Sequence, residues 1–297
     1  MTAKIGRKDG TYLKNIDPFM RFFPFIMKKR NDSTVYFKQQ IEITELRSWL
    51  AAVNRNSHNE NKANPDNPAG RQSASTFFHA IMAALTQTFD ERPQLNRFIC
   101  GQRIYQRNHL SAAFVMKRAF SDDSQEEIVV MKLDVKDGML AISRKIREQV
   151  RKIRDDAKQD EQKRHGVLNW FKTLMNIPRP ILRGIVSFLT WVDYHGWLPS
   201  FVLDIDPMHC TMFISNLGSL KIDAPYHHLY EWGTTAIFIT IGAPVKVPMV
   251  IENDEIAVRE VINLAFTVDE RICDGFYYVQ SFKRMKHLLE HPDEIKL

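Results

Sequence analysis

Apolar residues recur along this chain with two different periods, and the switches between them mark out its elements. From Ser33 to Ile43 the side chains follow a strand pattern, and Thr44 then caps a helix through Glu45, Leu46, Trp49, Leu50 and Val53. Phe77, Phe78, Ile81, Met82, Leu85 and Phe89 stand at helical spacing, which predicts a helix over 75–89. Four strand-like pieces follow, at 98–100, 104–105, 112–116 and 128–135, separated by Gly, Asn and Ser-Asp-Asp turns. A strongly charged helix over 136–155 then carries Met139, Ile142, Ile146, Val150 and Ile153 as its buried stripe. Near the end, a strand signal (Val261, Ile262, Leu264, Phe266) gives way to a helical period (Val279, Phe282, Met285, Leu288, Leu289), so residues 267–275 form a strand-to-helix corner. At the other end, residues 1–20 are expected to form an N-terminal arm. The aromatic run 19–29 is expected to bury one face of a short helix interrupted by Pro24.

Two stretches break this regularity. Residues 54–73 are dominated by Asn, Pro, Ser and charges, too polar to bury themselves, and are expected to be a flexible surface loop. Residues 165–199 are an apolar helical insertion with Trp170, Phe171, Ile181, Ile185, Phe188, Leu189 and Trp191. Arg183, Asp193 and a span of only about a dozen apolar-rich residues argue against a membrane crossing, which needs roughly 20. Two readings stand: a helical hairpin packed on the body or on a neighbouring subunit, or an interfacial or acyl-chain-binding surface.

Composition changes the picture little. A chain of 297 residues with 44% hydrophobic and 26% charged residues is ordinary for a globular protein, and is taken as a single domain over 1–297. The net charge of +6 is spread along the chain, which suits anionic ligands and equally serves solubility. Cys100, Cys210 and Cys273 are odd in number and widely spaced, as in a reduced cytosolic protein, and no secretory leader precedes them. No metal site is expected: His79 has no partner at ligand spacing and reads as a packed histidine. Cytoplasmic residence follows as an expectation.

The corner Thr267-Val268-Asp269-Glu270-Arg271-Ile272-Cys273-Asp274-Gly275 resembles the Asp-His-Arg-x-x-Asp-Gly signature of the dihydrolipoyl acyltransferase components of 2-oxo acid dehydrogenase complexes. It is also similar to the His-x-x-x-Asp-Gly motif of chloramphenicol acetyltransferase. Glu270 stands where that family has its histidine. Upstream, Thr211 to Gly218 resembles the family's Phe-Thr-Ile-Ser-Asn-Leu-Gly block, a strand ending in a turn, and Ile237 to Gly242 the strand after it. The Pro93-Gln94-Leu95-Asn96 step after the long helix is similar to the family's too. The resemblance is ordered but thin over 17–155 and dense over 208–292. No lipoyl-carrying domain is seen before the core, which implies a free-standing protein.

The resemblance implies a chloramphenicol-acetyltransferase-like two-layer α/β sandwich, a mixed sheet with helices on one face, assembled as a homotrimer with its channel between subunits. It implies an acyltransferase moving an acyl group between coenzyme A, a co-substrate rather than a bound cofactor, and a thiol or hydroxyl acceptor. No nucleic-acid partner is implied. Glu270 takes the place of the general base, Ser215 that of the hydroxyl facing the oxyanion, and Asp274 that of the motif aspartate, which pairs with an arginine; Arg21 and Arg30 are the partners considered. Asn216, His227 and His228 are further channel candidates, either histidine being conceivable as a substitute base. Arg271 and Gly275 are structural, Gly275 letting the backbone turn without a Cβ clash. An ion pair between Glu270 and Arg271 or another basic residue would silence the site. The alternative function is a non-catalytic relative, a trimeric scaffold or acyl-ligand binder.

Overall fold

The period-two stretches pair into two sheets in the computed structural model, which describes residues 7–63, 74–117, 126–159 and 176–297. In chain order the elements are β1 (Gly10–Tyr12), α1 (Pro18–Ile26), β2 (Thr34–Glu42), α2 (Thr44–Ala63), α3 (Phe77–Glu91), β3 (Arg97–Cys100) and β4 (Arg103–Arg107). Then come β5 (Leu110–Lys117), β6 (Glu126–Leu133), α4 (Met139–Gln159), α5 (Arg179–Tyr194), α6 (Ser200–Ile205) and β7 (Met212–Asn216). The chain closes with β8 (Ile237–Ile241), β9 (Val245–Val250), β10 (Ile256–Asp269) and α7 (Gly275–Glu290).

The larger sheet runs β2-β10-β8-β7-β5-β6, with β9 on β10. β7 pairs in parallel with both β5 and β8, and the remaining pairs are antiparallel, so the sheet is mixed. One face is covered by α2, α3, α4 and α7, which bury the alternate residues Met212, Ile214, Ile237, Ile239, Leu264, Phe266 and Val268. Phe37, Phe266, Tyr278 and Phe282 form an aromatic cluster between β2, β10 and α7. This is the α/β sandwich with helices on one face that was expected. The opposite face carries a smaller apolar cluster, Ala113, Cys210, Phe213, Leu229 and Phe238, under the segment that links β7 to β8. β1, β4 and β3 make a separate three-stranded sheet, so part of the N-terminal arm is strand.

Several elements depart from their expected form. α2 runs on to Ala63, so residues 54–63 of the expected loop are helix, while 64–73 lie outside the described residues. Once α2 is nucleated each further polar residue gains a hydrogen bond, and Asn54 ties the helix to Ser75 through two side-chain bonds of 3.0 and 2.7 Å. α1 does not bury its aromatic face: Phe19, Phe22 and Phe25 are exposed and only Pro24 is buried. Nor does Pro24 break it, because in two turns its missing N–H deprives only the Met20 carbonyl of a partner. Of the apolar insertion, 165–175 lies outside the described residues. α5 is a helix whose Ile181, Val186, Phe188 and Trp191 are exposed in the protomer. Its end is anchored at buried Asp193, which takes Arg7 at 2.8 Å and the His209 imidazole at 3.3 Å.

Two buried histidines give stability opposite pH slopes. His79 accepts at Nδ1 from the Thr76 N–H at the start of α3, and burial, helped by Arg147, pushes it down to about 4. Its neutral form therefore contributes stability that is present above about 6.5 and lost as pH falls towards 4, at about 1.4 kcal/mol per pH unit. His209 is raised: burial opposes the charge, but Asp193 and Asp206 on its two nitrogens outweigh it. Its contribution is full below the ordinary imidazole value and is lost as pH rises through the raised one. Urea unfolding between pH 4.5 and 7 is expected to show the acid slope, and His79→Gln to flatten it, since glutamine keeps the capping acceptor without a titration.

Candidate active site

The β10-to-α7 corner is built on a buried carboxylate. Asp269, fully buried at the end of β10, accepts from the Arg271 backbone N–H, Nε and Nη2 at 3.1, 2.8 and 2.7 Å. Arg271 Nη1 donates to the Met27 carbonyl at 2.8 Å. Arg30 Nε stands 3.8 Å from Asp269 Oδ2, the oxygen that Arg271 Nη2 also meets, and its guanidinium donates to the carbonyls of Tyr230 and Gly233. Asp269 thus joins three stretches of the chain: the end of β10, the segment before β2 and the bend before β8.

The arginine-paired aspartate of the corner is therefore Asp269, and the expected pairing of Asp274 with Arg21 or Arg30 is corrected. Asp274 is exposed and caps α7, its carboxylate accepting the Tyr277 N–H at 2.8 Å. A carboxylate at a helix N-terminus is satisfied there by free N–H groups and needs no arginine. Arg271 spends its guanidinium on Asp269 and the Met27 carbonyl. Gly275 has no neighbour within 4 Å of where a Cβ would sit, so the expected clash is absent in the protomer. Gly233 is the constrained glycine: its φ is +84° and an added Cβ would meet the Met208 carbonyl oxygen at 2.2 Å. Gly233→Ala is expected to lower the melting temperature by several degrees, and Gly275→Ala to leave it within about 2 °C.

Committing Arg271 to Asp269 also removes the pairing that would silence Glu270. Glu270 is half-buried, and its backbone N–H donates to the Ser33 carbonyl at 2.9 Å. Among the described residues its carboxylate has no hydrogen-bond or ion-pair partner. Cys273 is buried and its thiol is pushed up to about 12, chiefly by burial, so it is no nucleophile at neutral pH.

Ser215 lies near the end of β7, half-buried, on the sheet face away from the helices. Its hydroxyl has no hydrogen-bond partner among the described residues. Asn216 closes the turn after it, accepting from the Gly218 N–H at 3.1 Å. The register puts Ser215 opposite Thr240, and Thr240 opposite Ala265. Glu270 lies five residues beyond Ala265 and two strands across. At about 3.4 Å per residue and about 4.8 Å between strands, the two stand roughly 20 Å apart. The protomer does not bring them together.

His227 sits closer to Ser215. Its ring stacks on Phe238 at 3.9 Å, and Phe238 is one strand across and two residues along from Ser215, roughly 8 Å by strand geometry. Its Nδ1 is 2.7 Å from the His228 carbonyl and so carries the proton, which leaves Nε2 as an acceptor; burial lowers its affinity for a second proton. His228 is exposed, with Nδ1 at 3.2 Å from the Leu229 carbonyl. At this end the structure also gathers Asp223, Lys38 and Asn263, bonded at 2.9 Å each way, from three distant stretches that no local pattern connects.

Residues 206–297 match the family described as 2-oxoacid dehydrogenases acyltransferase (catalytic domain). The chain is 24% identical over 219 residues to the lipoamide acyltransferase component of the branched-chain alpha-keto acid dehydrogenase complex of Bacillus subtilis (strain 168), covering 74% of this chain. It spans 40% of the length of that relative. A probable dihydrolipoamide acetyltransferase of Listeria monocytogenes superposes with a TM-score of 0.58 at 18% identity, covering 94% of each chain. The dihydrolipoamide acetyltransferase of Azotobacter vinelandii gives 0.58 at 14% identity, covering 94% of this chain and 92% of that one. By sequence over its last third, and by fold over nearly its whole length, this chain resembles the catalytic domain of the 2-oxo acid dehydrogenase acyltransferases.

Proposed function

We propose that the protein is a CoA-dependent acyltransferase that works as a trimer, with Glu270 of one subunit facing Ser215 of the next. The observation that carries this reading is the pair of unpartnered groups roughly 20 Å apart in one protomer. A half-buried carboxylate and a half-buried hydroxyl, both at motif positions and both without partners, are complete as a site only if another copy supplies the opposite half. In the Azotobacter enzyme a serine, a histidine and an asparagine four positions after the histidine have been studied in the catalytic mechanism. Ser215, Glu270 and Asp274, the last also four positions on, occupy that pattern here.

Glu270 accepts the proton of the acceptor thiol or hydroxyl as its sulfur or oxygen attacks the thioester carbonyl. The Ser215 hydroxyl donates to the oxyanion that forms, worth about 3–4 kcal/mol of barrier in comparable sites. The intermediate then collapses, the carbon–sulfur bond to CoA breaks, and the thiolate leaving group takes the proton back from Glu270.

Subunit complementation tests the arrangement. Ser215→Ala and Glu270→Gln are each expected to be inactive alone, while co-expressed mixed trimers regain activity in about a quarter of their sites. Activity is read as CoA thiol release from acetyl-CoA and longer acyl-CoAs in the presence of dihydrolipoamide. If His227 were the base, it would share a protomer with Ser215: Glu270→Gln would stay active on its own, and Ser215→Ala mixed with His227→Gln would regain nothing. No recovery in either mixture would leave the scaffold reading in possession.

A further inference from the structure

We propose that the groove between α5 and the Glu231-Trp232 bend holds the hydrocarbon of the transferred acyl group, so that the substrate is a medium- or long-chain acyl thioester. The proposal deepens the acyltransferase reading and rests on it. The groove has a volume of about 500 Å³ and is lined by Val186, Leu189, Thr190, Glu231 and Trp232. That is the size range of small-molecule sites.

Every polar side chain in the lining is already committed. The two Glu231 carboxylate oxygens accept the backbone N–H groups of Arg30 and Asn31, each at 3.1 Å, and the Asn31 amide. The Trp232 indole N–H donates to Asp206 at 2.6 Å, and the Thr190 hydroxyl donates back to the Val186 carbonyl at 2.9 Å. Among the described residues the lining leaves no free side-chain donor for a phosphate or a sugar. What the groove offers a ligand is the Val186 and Leu189 side chains and an indole face, a surface that favours hydrocarbon.

Its place points to an acyl chain in particular. Glu231 is bonded to Arg30 and Asn31, and two residues further on Ser33 receives the Glu270 N–H. The groove is therefore separated from the proposed base by roughly 10–15 Å, two hydrogen bonds and a two-residue step. An acyl carbonyl at Glu270 has its chain within reach of α5. The wall is held in place, since the buried Asp193 at its end is paired with Arg7 and His209.

Calorimetric binding of decanoyl-CoA and acetyl-CoA to the full chain tests this without requiring turnover. The wild type is expected to bind decanoyl-CoA at least about tenfold more tightly. Val186→Trp and Thr190→Trp, substitutions at exposed positions that fill the groove, are expected to abolish the preference, while Phe22→Ser on exposed α1 preserves it. Equal binding by the wild type would overturn the proposal. So would a preference that survives both tryptophans, or one that Phe22→Ser removes equally, which marks general adhesion to apolar surface. A chain-length preference without transfer to any acceptor would sink the acyltransferase reading and keep the groove; acetyl transfer without a preference would do the reverse.

Discussion

Asp269→Asn is expected to destabilise the protein by about 3–5 kcal/mol, the cost of removing one partner from a buried ion pair. The carboxylate is fully buried, and the guanidinium of Arg271 is 3% exposed and of Arg30 7%. With an amide in its place, two cations face each other in the interior with no anion between them. The Arg271 backbone N–H and Nε, bonded to Oδ1, and Nη2, bonded to Oδ2, compete for one remaining acceptor oxygen. Because Arg30 also holds the bend at Tyr230 and Gly233, the loss is felt at the site as well as in the fold. Urea unfolding at neutral pH measures it. A loss under about 1 kcal/mol would show that Asp269 is not the hub of the corner. Arg271→Lys should recover little, since a single ammonium cannot replace a fork that meets both carboxylate oxygens.

The sheet and its covering helices were legible because burial there is periodic. Phe77 to Phe89 and Val261 to Phe266 announce helix and strand through spacing that survives in any context. The aromatic residues of α1 have a helical period yet Phe19, Phe22 and Phe25 stay exposed, since periodicity records only that a face exists and not what covers it. The extension of α2 was missed for the converse reason: a polar helix held at Asn54 by Ser75 shows no apolar stripe. At the site, the motif gave the addresses of Glu270 and Ser215 but not their relation. The distance between them depends on strand order and register, which long-range pairing decides. The role of Asp269 was hidden similarly, since Arg30 lies more than two hundred residues away in the chain and beside it in space.

Glu270→Gln is expected to lower acyl transfer by about 10²- to 10⁴-fold with little change in stability. Its backbone N–H supports β2 through Ser33, and glutamine keeps that bond. Its carboxylate has no partner among the described residues, so neutralising it breaks no ion pair seen there. The substitution thus isolates proton transfer from architecture. Glu270→His is the complementary experiment, since it restores the histidine that the corner's resemblance implies. If the channel is intact, the imidazole is expected to support transfer and to introduce an acid limb near pH 6.5 into the rate profile. Activity in Glu270→His with none in the wild type would mean that the site keeps its geometry and has lost its base, placing the protein with the acyl-ligand binders. Unchanged transfer in Glu270→Gln would move the base elsewhere, and His227, whose ring stacks on Phe238 one strand from Ser215, is then the residue to replace.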